Sequence, residues 1–171
     1  MGLRPALPAA RLLDMDWNRR GEARPAVAVQ PLSGAALVVF LNELLEAERA
    51  GAKVLSVLMA EGASPGGQSL LREIAHDEAR YCALLTRLIE GQGGTPSKAT
   101  GAFRDKVLAL ETLIDRLELL NRGQSWVVRK LEQALPQIHD IAISTELAEM
   151  RDTHRANVAA CGVLLESLRE Q

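Results

Sequence analysis

The chain has 171 residues, a formal net charge of −2 and only 3% aromatic residues. This length suits one domain with a sizeable core, and the near-neutral charge gives no pull toward nucleic acid or an anionic membrane. Leu, Ala, Glu and Arg dominate, a mix that favours helices and leaves little material for strands.

No apolar run approaches the roughly 18 residues of a membrane-spanning helix, and the first residues lack the continuous apolar stretch of a secretory signal. Cys82 and Cys161 form neither a disulfide framework nor a CxxC pair, so a reducing cytoplasm is the expected location.

Residues 1–33 hold four of the seven prolines and read as an irregular Pro/Ala/Arg-rich segment, with Trp17 as a candidate anchor onto the rest. The other prolines, Pro65, Pro96 and Pro136, separate four long helical patterns over 34–171. The first runs over 34–61, with Ser33 as cap and Gly62 as stop. Its apolar stripe, Leu41, Leu44, Leu45, Ala52 and Leu55, is interrupted by Glu48.

The second pattern runs over 68–90, and Glu78 and Tyr81 interrupt its stripe. The short link before it makes the first two helices antiparallel neighbours. The link after it, 91–102, reaches about 40 Å if extended, enough to run the length of a helix of about 35 Å. The third pattern is read as one helix over 103–135, its stripe from Leu110 to Leu131 interrupted by Asn121 and Gln124. The fourth covers about 138–169, with Asp140 and Ser144 as alternative caps, and is interrupted by His154 and Asn157.

All four interruptions fall near the middle of their helices, so they are expected to meet in one polar pocket. A buried carboxylate costs several kcal/mol unless it is paired or bound to a cation. Two helices accepting that cost is a functional hint. Glu73 and His76 also have the spacing of a helix-borne metal pair, but the helical wheel turns them away from the stripe, toward solvent or another subunit. Cys82 and Cys161 read as small buried hydrophobes, Trp126 as a contact offset from the stripe, and His139 as exposed.

The stretch LNELLEAERAGAKVL, residues 41–55, resembles the first helix of bacterioferritins. The second helix resembles the E-x-x-H helix of the ferritin-like superfamily, which includes the rubrerythrins, when counted back from Gly93-Gly94-Thr95-Pro96. The resemblance covers about residues 34–168 and implies an all-α, ferritin-like four-helix bundle with a long crossover between its second and third helices. It places ligand glutamates on Glu48 and Glu78, and Tyr81 where the family has a histidine. The third helix offers Asn121 or Gln124 in place of the family glutamate. In the fourth helix the motif falls on His154 to Asn157, or, shifted by three residues, on Arg151 to His154.

The family's di-iron centre takes four carboxylates and two histidines. Only Glu48, Glu78 and His154 remain here as metal ligands, with Tyr81, Gln124 and Asn157 lining the pocket. Two carboxylates balance one divalent ion. The sequence therefore implies either a single Fe, Mn or Zn ion completed by water, or no metal. In the second case the glutamates share a proton, pair with His154 as an imidazolium, or accept hydrogen bonds from Tyr81, Gln124 and Asn157, a network that sets helix register. The expected function is a structural or binding role on a degenerate ferritin-like bundle, the alternative a metal-dependent oxidoreductase. A homodimer is the expected assembly.

Overall fold

The computed structural model describes residues 31–61 and 65–170. Most of the irregular segment expected over 1–33 lies outside the described residues, as do Trp17 and the Gly62 stop. The described chain is all-helical: α1 is Gly34–Glu61, α2 Pro65–Gly91, α3 Phe103–Leu108, α4 Leu113–Ala134 and α5 Ile141–Arg169. A single 3-10 turn, Leu135–Gln137, follows α4. Among the described residues there is no strand, and no helix is long and apolar enough to cross a membrane.

The bounds of α1 agree with the periodicity. α2 begins at Pro65, earlier than the apolar stripe indicates, because proline's fixed φ suits the first helical position and costs no hydrogen bond there. It ends where Gly93 adopts φ +72° and Gly94 N–H donates to Ile89 O at 2.9 Å, a left-handed cap that favours glycine. Of the two caps open for the last helix, Asp140 is the one used. Its side chain accepts from Ile143 N–H at 3.1 Å.

The third helix departs from expectation. It is not one helix over 103–135 but two, with a break at residues 109–112. Thr112 caps α4 by accepting from Asp115 N–H at 3.1 Å, while its hydroxyl donates to the Asp115 carboxylate at 2.6 Å. Arg116 holds the turn by donating from Nε to Leu110 O at 2.7 Å and from its guanidinium to Glu61. Thr112→Ala is expected to cost about 1 kcal/mol and to lower Tm by about 2–4 °C. An unchanged thermal melt would show that Arg116 alone fixes the turn.

The long helices stand at the corners of a square, α1 beside α2 and α4, and α5 beside α2 and α4. α1 and α5 run one way, and α2 and α4 run the other. α2 and α4 are therefore parallel, which is why a long crossover must join them. Asn42 and Glu46 on α1 bind that crossover through Thr95 and Ser97. Two apolar clusters fill the bundle ends, one around Leu41, Leu85, Leu131 and Leu147, the other around Leu58, Leu71, Leu117 and Leu165. A layer of buried polar side chains lies between them.

Candidate metal centre

Four helices each send one buried polar side chain into that layer. Glu48 from α1 and His154 from α5 are 1% exposed, Glu78 from α2 is 2% and Gln124 from α4 is 5%. Such residues almost never lose water without a partner. The contacts run across the two diagonals of the square. His154 Nε2 lies 3.1 Å from Glu48 Oε1, and Gln124 Nε2 donates to Glu78 Oε1.

Ligand atoms of Glu48, Glu78 and His154 all lie within 4.8 Å of one another. Glu48 Oε2, Glu78 Oε2 and Gln124 Oε1 have no hydrogen-bond partner. Once the two carboxyls are ionised, these buried oxygens can only accept, and no protein donor is left for them. A cation would satisfy them.

His154 has its ring orientation fixed by a backbone carbonyl. Its Nδ1 is 2.9 Å from Met150 O, a carbonyl that can only accept, so the ring proton sits on Nδ1 and Nε2 presents its lone pair to the pocket. Its ring packs at 5.5 Å from that of Tyr81.

Burial pushes the Glu48 carboxyl up to about 8, with the negative charge of Asp77 adding to the effect and a hydrogen bond with Glu78 opposing it. Glu78 is raised well above the carboxylate range, first by burial and then by the charge of Glu48. Burial also lowers His154, against the charge of Glu78. The metal-free pocket is therefore neutral near pH 7, with Glu48 donating to His154 Nε2.

This has a sign that can be tested. The Glu48 carboxyl rises from 4.5 to about 8 on folding, so between those values the folded chain keeps a proton that the unfolded chain releases. Stability falls as pH rises through that window, by roughly 1.4 kcal/mol per pH unit for each such carboxyl. The lowered His154 acts in the opposite sense, but only below its ordinary value of 6.5. Metal-free protein is therefore expected to show a lower urea midpoint at pH 8 than at pH 6.5. Equal midpoints would mean that the carboxylates are ionised and solvated in the fold.

The three residues expected to line the pocket are all buried, but their polar ends go to different partners. Gln124 does reach the carboxylates. Tyr81 is buried, but its phenol carries the hydroxyl past the His154 ring to Thr153 Oγ1 at 2.7 Å and Arg80 at 2.6 Å. Asn157 turns to Asp77, donating at 3.1 Å. Neither makes a hydrogen bond to a pocket carboxylate. Asn121 is half-buried with its Oδ1 unpartnered, and Arg151 pairs with Asp152 at the surface. Glu73, His76 and His139 are exposed. Burial holds Cys82 at about 12 and Cys161 at about 11, so both are thiols and neither offers a thiolate. Trp126 is half-buried under the Lys130 ammonium, 5.1 Å from its ring centre.

Gly51 was not among the expected site residues. A Cβ at this position would stand 2.5 Å from Glu78 Oε1 and 2.8 Å from Cδ. The bare helix face of α1 is thus the cradle of the Glu78 carboxylate. Its signal in the sequence is a glycine inside a long helix, one turn after an inward glutamate.

Glu48, Glu78 and Gln124 also form the floor of a cavity of about 500 Å³, which opens between α1, α4 and the crossover.

The family described as Domain of unknown function (DUF6306) matches residues 35–163, most of the chain. The chain belongs to this family. The matched region contains α1, α2, α3 and α4 with all four polar-layer residues, and stops inside α5 beyond His154 and Cys161. No curated protein matches the chain, and no solved structure does.

Proposed function

We propose that the protein is a ferritin-like bundle that binds a single divalent metal ion through Glu48, Glu78 and His154, and that it works as a binding protein and not as a di-iron oxidase. The observation that carries this reading is the convergence of buried ligand atoms of Glu48, Glu78 and His154 within 4.8 Å of one another, with carboxylate oxygens that have no hydrogen-bond partner. The helix order, with a long crossover between α2 and α4, supports the ferritin-like assignment. Inward carboxylates at mid-height on α1 and α2 support it as well.

The residues fit one ion. Two carboxylates supply the charge that balances one divalent cation, and oxygen with imidazole suits Fe, Mn or Zn. Gln124 holds Glu78 in place by donating to it. Met150 O holds the His154 ring, and Gly51 leaves room for the carboxylate. Such an ion would supply Lewis acidity, and redox chemistry where it is iron or manganese. A second ion would need carboxylates that α4 and α5 do not present, since Gln124 and Asn157 stand in the inward positions and are neutral.

Elemental analysis of protein expressed with iron, manganese and zinc tests the proposal. The expected content is about one ion per chain, lost in Glu48→Gln and His154→Ala while the helical content and melting cooperativity persist. About two ions per chain would overturn the mononuclear reading. A stable, metal-free protein under all three supplies would overturn metal binding altogether.

A further inference from the structure

The cavity beside the polar layer has a wall chemistry of its own. Its inner walls are apolar, built from Ala47 and Ala50 on α1, Phe103 on α3, and Leu119, Leu120 and Val127 on α4. Its floor is the buried oxygen set of Glu48, Glu78 and Gln124. Its mouth carries Arg122 and Arg129, both exposed. Among the described residues neither of these arginines makes an ion pair, whereas Arg80, Arg87, Arg116 and Arg155 all do. Glu46, also at the mouth, is engaged by the Ser97 hydroxyl. With the two guanidiniums of Arg122 and Arg129 against the one carboxylate of Glu46, the mouth keeps a cationic surplus.

The cavity is held open by the fold. Gly123 on α4 admits the Phe103 ring: a Cβ there would stand 2.7 Å from Phe103 Cζ. The crossover arches from Ser97, tied to α1, to Phe103, seated on α4, and the space lies beneath that arch. A volume of about 500 Å³ lies within the range of small-ligand sites, which are mostly apolar with a few placed polar groups.

We propose that this cavity binds a small organic monoanion with an apolar body. The body lies against Phe103, Leu120 and Val127, and the charge is met by Arg122 and Arg129 at the mouth. Two unpaired guanidiniums beside an apolar shaft attract a carboxylate and disfavour an ammonium of the same shape. The part of the inference in which the inner end of this molecule faces a metal rests on the proposed metal site. Recognition of the anion does not.

Trp126 lines the cavity and serves as the reporter. In the chain carrying Trp17→Phe, selective excitation of indole makes Trp126 the one emitter. Titration with octanoate is expected to change that emission saturably. Octylammonium, with the same chain length and the opposite charge, is expected to bind at least ~10-fold more weakly. The surface pair Arg122→Glu/Arg129→Glu is expected to reverse that preference, and Ala47→Leu, which narrows the shaft, to weaken both probes. No saturable change with octanoate, or equal binding of the two probes, would overturn the inference. Metal content is measured on the same samples. Metal present without octanoate binding overturns this inference alone. Octanoate binding to protein that takes up no metal supports this inference and overturns the metal site.

Discussion

Glu78→Gln is expected to make the metal-free protein more stable at pH 8 while abolishing the proposed metal binding. The carboxyl of Glu78 is fully buried and held well above its ordinary range, so the folded chain bears the cost of keeping a proton that the unfolded chain gives up. A glutamine needs no proton. Its carbonyl oxygen can still accept from Gln124 Nε2, and its amide group faces the orphaned Glu48 oxygen. The expected gain at pH 8 is a higher urea midpoint than that of the unsubstituted chain, and it shrinks as the pH is lowered. Metal affinity is expected to fall about 100-fold or more, since a charged ligand is lost and not merely a group that orients one. Urea denaturation of chelator-treated protein and metal titration of the same sample read the two effects separately. A variant that loses stability at pH 8 would show that the carboxylate is held ionised by partners, and that the polar layer supports the fold instead of costing it.

The cost to stability of an inward carboxylate is what made the candidate site visible in the sequence. Glu48, at i+4 from Leu44 and i−4 from Ala52, is turned inward by the helical repeat once the helix packs. Glu48, Glu78 and His154 could be placed inward for that reason, and the structure brings the three together. Periodicity gives direction but not reach. It turned Tyr81 and Asn157 inward correctly, yet their terminal atoms go to Thr153 and Asp77, partners that helical spacing does not reveal.

The break in the third helical pattern was hidden for a related reason. Leu110, Leu113 and Leu117 keep helical spacing across residues 109–112, so the apolar pattern runs on while the backbone stops. The signal lay in Thr112 and Asp115, a capping pair read from side-chain chemistry and not from hydropathy. The cavity could not be read at all. It depends on where the crossover places Phe103 against Gly123, and a link of unconstrained path does not fix that.

Gly51→Ala separates the site from the fold more sharply than removal of a ligand does. On helix propensity alone, alanine should stabilise α1 by about 1 kcal/mol. Its Cβ would stand 2.5 Å from Glu78 Oε1, closer than real contacts allow, so the carboxylate must move. Glu78 is the flexible partner in that clash, and a protonated carboxyl can rotate away at small cost. Global stability is therefore expected to change by less than about 1 kcal/mol, while metal affinity falls at least ~10-fold because the ligand oxygen is displaced. Glu78→Asp shortens the side chain by one methylene and withdraws it from the new Cβ. The double variant Gly51→Ala/Glu78→Asp is then expected to bind metal more tightly than the two single losses predict when added. Strict additivity would mean that Gly51 and Glu78 act independently, and the bare face of α1 would lose its role as the cradle. A positive coupling would assign the glycine inside α1 to the metal site, as a residue that contributes space and no atom.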